Sequence, residues 1–220
     1  DHSVEGRGRH PLPSGSSLRA AARRWGVKTG VPVVVYDDWN RAGSARAWWV
    51  LTAAGVPDVR ILDGGLAAWT GELQTGTVSS EPGDVTVAYE DLYAGARATV
   101  TADEVDRAGV LLDARAPERF RGEVEPVDAV AGHIPGARNA PSTGLLSSDG
   151  ALQSESELTA LFADRGVDAH SDVAVYCGSG VTAAVVIAGL ASVGVDAALF
   201  PGSWSQWSSE SSRPVAVGEG

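Results

Sequence analysis

Cys177 is the sole cysteine among 220 residues, and its surroundings are those of a reactive thiol. It follows the apolar run Val173-Ala174-Val175-Tyr176 and opens the loop Gly178-Ser179-Gly180-Val181-Thr182, after which Thr182-Ala183 starts an apolar helical stretch. Two glycines let the backbone curl so that successive N–H groups point at one spot. A helix N-terminus adds about half a positive charge there. Such a position stabilises a thiolate, a persulfide or a bound anion. A lone cysteine is more often a small buried hydrophobe, but the strand, glycine loop and helix around Cys177 favour chemistry. A single cysteine also excludes an internal disulfide framework.

The elements that position this loop are written twice. One copy runs from Val33-Val34-Val35-Tyr36-Asp37 through a glycine-containing loop to Ser44-Ala45, along an apolar stretch to Ala54, then through Val59-Arg60-Ile61-Leu62 to Asp63-Gly64-Gly65 and Trp69. The other runs from Val173 to Cys177, from Thr182-Ala183 to Ser192, then through Ala197-Ala198-Leu199-Phe200 to Gly202-Ser203-Trp204 and Trp207. Tyr36 to Trp69 is 33 positions and Tyr176 to Trp207 is 31, the difference lying in the loop. Each copy reads as strand, loop, helix, strand, short helix. That pattern predicts an α/β architecture with parallel sheets flanked by helices. The position equivalent to Cys177 in the first copy is Asp37, so only the second copy carries the thiol.

Upstream of the second copy, Val110-Leu111-Leu112-Asp113 predicts a strand, Gly132-His133-Ile134-Pro135-Gly136-Ala137 a turn, and Glu155 to Arg165 a helix with a Ser154/Glu157 capping box. Thr101 is expected to cap another helix ahead of Ala102-Asp103-Glu104. The strand matching Leu111 would fall before residue 1 in the first copy, so the first domain is expected to be N-terminally truncated in this chain. The expected organisation is an incomplete non-catalytic domain over 1–75, a linker over 76–97 with a possible extended stretch at Val85–Tyr89, and a catalytic domain over 98–220.

Composition narrows the function classes. With 28 acidic against 17 basic residues the net charge is −11, which argues against general nucleic-acid binding. Hydrophobic residues make up 44%, enough for a real core. The longest apolar stretch, from Val181 to Val195, is shorter than the ~20 residues that cross a bilayer. No methionine is present, in keeping with a missing N-terminal piece, and no signal peptide is visible. The expectation is a soluble cytoplasmic protein with no membrane association.

The loop Cys177–Ala183, the turn Gly132–Ala137, the segment Asp113-Ala114-Arg115 through Arg119-Phe120-Arg121-Gly122, Gly202-Ser203-Trp204, Ala47-Trp48-Trp49 and Asp63-Gly64-Gly65-Leu66 together resemble the two-domain rhodaneses, the thiosulfate and 3-mercaptopyruvate sulfurtransferases. The match spans nearly the whole chain. The resemblance implies two tandem rhodanese-like domains and a double displacement. In it Cys177 takes a sulfane sulfur from thiosulfate or 3-mercaptopyruvate as a persulfide and passes it to cyanide or a thiol. It implies no cofactor and no metal. It gives catalytic roles to Cys177 and Ser179 and substrate-binding roles to Arg119, His10, Gly178, Gly180, Val181 and Thr182. His10 lies in a His-x-Leu-Pro stretch that the family pairs with the loop serine.

The donor is the open point. The Gly-Ser-Gly-Val-Thr loop resembles the mercaptopyruvate enzymes, yet Glu125-Pro126 is followed by Val127 where those enzymes place a second arginine. Losing that contact leaves thiosulfate plausible, with Arg121 as a hypothetical substitute. His133 reads as a structural residue of its turn, and the Trp48-Trp49 pair as packing. A cysteine phosphatase or arsenate reductase is disfavoured by the short loop and by Ala183. A rhodanese-like binding module usually lacks the cysteine. A sulfur carrier serving a protein partner is the remaining alternative.

Overall fold

The computed structural model describes residues 6–219. The first half opens with α1 (Gly15–Arg24), whose Ser14 side chain accepts the Ser17 N–H and caps the helix. There follow β1 (Val33–Val35), α2 (Ala42–Ala53) and β2 (Val59–Ile61), with β1 and β2 paired in parallel from Val33↔Val59 to Val35↔Ile61. The second half contains β3 (Val110–Asp113), α3 (Pro117–Phe120), β4 (Arg138–Asn139), α4 (Glu155–Asp164), β5 (Val173–Tyr176), α5 (Ala183–Ser192), β6 (Ala197–Leu199) and α6 (Ser203–Trp207). Its four strands are parallel in the order β4-β3-β5-β6. The strand–helix–strand repeat is therefore present in both halves, as β1-α2-β2 and β5-α5-β6.

Burial differs between the two copies. Every residue of β3 and β5 is buried, as in a central parallel strand covered on both faces. In β1, by contrast, Val34 is 54% exposed. The two copies share one core. Helices α2 and α5 pack on each other, so that Ala45, Trp49 and Val50 join Val185, Val186 and Leu190 in a single apolar cluster. Trp49 is fully buried, and the Arg97 guanidinium lies 4.2 Å over the Trp48 ring, so this pair serves packing.

The capping box at Ser154 and Glu157 is present. Two other expectations are corrected. Thr101 starts a turn followed by a 3-10 turn at Val105–Arg107 rather than an α-helix, although its backbone N–H and hydroxyl both bond Glu104 as in a capping box. The stretch Val85–Tyr89 pairs with no strand and runs along the first half, with Val85 N–H bonded to Val27 O and Ala88 N–H to Ala54 O. The first copy's final helix shortens to a 3-10 turn at Gly65–Ala68 and leaves Trp69 half exposed, whereas its counterpart α6 buries Trp207. Among the described residues no helix is long and apolar enough to cross a membrane.

Candidate active site

Cys177 leaves β5 at the sheet's C-terminal edge and is buried, 2% exposed. Its Sγ accepts the Gly180 N–H at 3.1 Å. Its own N–H donates to Ser203 Oγ at 3.2 Å, and its carbonyl accepts from Trp204 N–H at 2.9 Å. The first turn of α6 thus props the loop from behind. Gly180 has φ +79°, and a Cβ there would sit 2.7 Å from Pro201 O. Both the left-handed backbone and the close approach demand glycine. Ser203, at φ 53°, is a non-glycine residue held in the same region because its hydroxyl donates to Phe200 O and accepts from Cys177 N–H. Val181 and Thr182 complete the curl into α5 through their carbonyls, which accept from Ala184 and Val185 N–H.

Ser179 and His10 meet in the loop that follows the thiol. His10 Nδ1 lies 2.7 Å from Ser179 Oγ. Burial, then the charges of Arg46 and Arg9, push the His10 pKa below its ordinary value of 6.5. The shift favours the neutral imidazole, whose Nδ1 can accept the Ser179 hydroxyl proton.

Arg46, from α2 of the first half, was not singled out from the sequence. Its Nη1 donates to Gly180 O at 3.2 Å and its Nη2 to His10 O at 2.9 Å, so one guanidinium ties the catalytic loop to the His10 segment. It is 8% exposed, and among the described residues no carboxylate lies within ion-pair distance of it. Burial lowers its pKa, while Cys177 and then Tyr93 work the other way. The one sequence signal for it was a lone cation in the apolar stretch leading to Trp48-Trp49.

On the other side of the loop, two guanidinium groups flank Gly178. A Cβ on Gly178 would meet Arg9 Nη2 at 3.3 Å and Arg119 Nη1 at 3.5 Å. Arg9 Nη2 also donates to Gly178 O at 3.3 Å. The expected Arg119 is therefore at the loop, and Arg9, which sequence reasoning missed, stands with it. The absence of an arginine at Val127 does not leave Arg119 alone. Arg121, the hypothetical substitute, donates to Glu123 at 2.8 and 3.0 Å. Nor is Arg119 paired with Glu118 or Glu123; its partners are Glu125 at 2.6 Å and Asp128 at 3.5 Å. Burial opposes ionisation of Glu125, but N–H donors from Asp128, Arg119 and Val127 more than offset it and set its pKa below the ordinary glutamate value.

The first copy has the same loop with a different occupant. Asp37 Oδ1 accepts from Trp39 N–H at 3.0 Å and Arg41 N–H at 3.1 Å, and Oδ2 accepts from Ser44 N–H. The curl that in the second copy surrounds a thiol here closes on its own carboxylate. Burial opposes that charge, but the Ser44 and Trp39 N–H groups outweigh it and lower the Asp37 pKa. His133, fully buried, stacks on Phe120 at 3.8 Å and places Nδ1 2.8 Å from Phe120 O, which fits the structural use expected of it.

A family model described as the rhodanese-like domain matches residues 4–72 and 97–210. The chain belongs to the rhodanese-like family. It is 64% identical to the "Putative thiosulfate sulfurtransferase SseB" of Mycobacterium tuberculosis, over 99% of this chain and 78% of that one. It is 44% identical to the "Probable 3-mercaptopyruvate sulfurtransferase" of Pseudomonas aeruginosa, over 96% of this chain and 77% of that one. Among solved structures, the 3-mercaptopyruvate sulfurtransferase SseA of Escherichia coli superposes with a TM-score of 0.75 at 36% identity, covering 93% of this chain and 80% of that one. The tandem rhodanese architecture and the sulfurtransferase class expected from the sequence both stand.

Proposed function

We propose that this rhodanese-family sulfurtransferase works through a persulfide on Cys177, with residues 1–75 as a non-catalytic domain that walls the site, 76–97 as the connection and 98–220 as the catalytic domain. The observation that carries the reading is the placement of one buried thiol, bonded by Gly180 N–H, among three arginines from three separate segments. Both candidate donors are anions. The forks of Arg9 and Arg119 beside Gly178 suit a sulfonate or a carboxylate, and Arg46 opposes the charge of the sulfur.

The steps balance with either donor. The Cys177 thiolate attacks the donor's outer sulfur, and a bond forms between it and Sγ. With thiosulfate the S–S bond breaks and sulfite leaves with the electron pair, with no proton transferred. With mercaptopyruvate the C–S bond breaks; the enolate of pyruvate leaves and its carbon must gain a proton, while the donor thiol must lose one. Ser179 and His10 form a relay able to take the first proton and return it to carbon. That pair favours mercaptopyruvate as the donor. Cyanide then removes the sulfur as thiocyanate, or a thiol removes it as a persulfide. No cofactor enters these steps. A thiol that must stay reduced suits a cytoplasmic setting, and the net charge of −11 argues against nucleic acid as a partner.

The test is cyanolysis with thiosulfate and with mercaptopyruvate, on the native protein and on Cys177→Ser. Thiocyanate formed by the native protein and lost in the variant is the expected result. Turnover surviving the substitution would sink the mechanism.

A further inference from the structure

Asp128 stands between the two arginines that flank Gly178. One carboxylate oxygen pairs with Arg9 Nη1, and the other lies 3.5 Å from Arg119 Nη2. The Asp128 side chain is 7% exposed. It is also fixed in place: Glu125 Oε1 accepts the N–H groups of Val127 and Asp128, each at 3.0 Å. Glu125 in turn pairs with Arg119 and, at 3.5 Å, with Arg115, which is locked onto Asp113 at 2.6 Å. The result is one chain of alternating charge, Asp113–Arg115–Glu125–Arg119–Asp128–Arg9, ending at the catalytic loop. Its three acids cancel its three bases. Without Asp128 the end that faces the donor would carry one uncancelled positive charge.

We propose that Asp128 is a specificity-determining residue: an internal counter-anion that limits the charge of the donor the Arg9–Arg119 pair accepts. The inference rests on the sulfur-transfer reading above. Thiosulfate brings two negative charges to this mouth and the mercaptopyruvate carboxylate brings one. A carboxylate held between the two guanidinium groups repels the dianion more strongly, because the interaction scales with the product of charges in a partly desolvated cleft. A singly charged carboxylate can share the arginine forks with Asp128 at a smaller penalty. The same residue keeps Arg9 and Arg119 from repelling each other when no donor is bound.

Asp128→Asn keeps the shape and an acceptor oxygen while removing the charge. Two measurements on the full chain test the idea. The first is KM for thiosulfate and for mercaptopyruvate with the native protein and Asp128→Asn. The second is competitive inhibition of mercaptopyruvate turnover by sulfate and by pyruvate. The expected result is a roughly tenfold lower KM for thiosulfate and a roughly tenfold tighter sulfate constant, with the mercaptopyruvate and pyruvate values moving less than about twofold. A rise in KM for both donors would make Asp128 a positioning residue and overturn the proposal. So would equal shifts for sulfate and pyruvate in a variant that melts like the native protein. Native protein that turns over neither donor would instead defeat the sulfur-transfer reading itself.

Discussion

His10 Nδ1 lies 2.7 Å from Ser179 Oγ although the two residues are 169 positions apart. The contact joins the chain's opening segment to the cysteine loop and carries the proposed proton relay, which neither segment holds alone. Its chemistry is selective: mercaptopyruvate needs a proton moved from sulfur to carbon, and thiosulfate does not. Ser179→Ala and His10→Gln are each expected to lower kcat with mercaptopyruvate about a hundredfold or more, while thiosulfate turnover falls far less. Steady-state thiocyanate formation with both donors checks this. Equal losses for both would show that the pair only shapes the loop.

The pH profile follows from the same contact. Burial and the nearby Arg46 and Arg9 charges place the His10 pKa below 6.5. The neutral, proton-accepting form therefore persists at neutral pH and is lost as pH falls through that lowered pKa. Mercaptopyruvate turnover is expected to show an acid limb below pH 6.5 that is absent from the residual activity of His10→Gln. Stability moves the same way. The unfolded chain binds this proton more readily than the folded one, so His10 destabilises the fold as pH drops below its ordinary value of 6.5. The stability of the native protein should fall with pH across that window more steeply than that of His10→Gln, read from unfolding curves.

Arg46 links the two halves through backbone carbonyls, Gly180 O at 3.2 Å and His10 O at 2.9 Å. Arg46→Ala leaves these acceptors without the guanidinium, which costs about 1–3 kcal/mol when the groups stay buried. Loosening should also reach Cys177 through Gly180. The expected outcome is a lower melting temperature together with an altered rate and pH profile of Cys177 alkylation. Arg46→Lys restores the charge without the fork, so it should recover the alkylation profile better than the melting temperature. An unchanged alkylation profile in both variants would confine Arg46 to packing.

Gly180 offers the sharpest steric test. A methyl group would meet Pro201 O at 2.7 Å, and φ is +79°. Gly180→Ala must shift the N–H that bonds Sγ at 3.1 Å. We expect a loss of about 1–3 kcal/mol from backbone strain and a larger proportional loss of persulfide formation, read as a +32 Da adduct by intact mass after donor treatment. Gly194→Ala, where a Cβ would meet nothing within 4 Å at a similar φ of +80°, controls for the backbone effect alone.

Much of this protein was legible in its sequence. The copies Val33–Trp69 and Val173–Trp207 are local patterns: short apolar runs, glycine loops and apolar helical stretches specify strands and helices within about thirty residues each. The capping box at Ser154 and Glu157 is likewise a matter of three positions. Cys177 stood out because its loop chemistry is contiguous. The Val85–Tyr89 run has strand-like residues, but its N–H groups find the single carbonyls of Val27 and Ala54 instead of a partner strand.

Arg9 and Arg46, unlike Arg119, could not be read this way. Arg9 reaches Gly178 across 169 positions, Arg46 reaches Gly180 across 134, and Arg9 meets Asp128 across 119. No periodicity encodes which of the chain's many arginines will point at a loop in the other copy. That choice is made when α2 and α5 pack into one core and carry the chain's opening segment over the loop. The sequence by itself determined the repeat, the thiol and its curled backbone, because these depend on neighbours in the chain. The tertiary structure alone decided that Arg9 and Arg46 join that loop, because only the closed core brings these distant side chains within hydrogen-bond reach of Gly178 and Gly180.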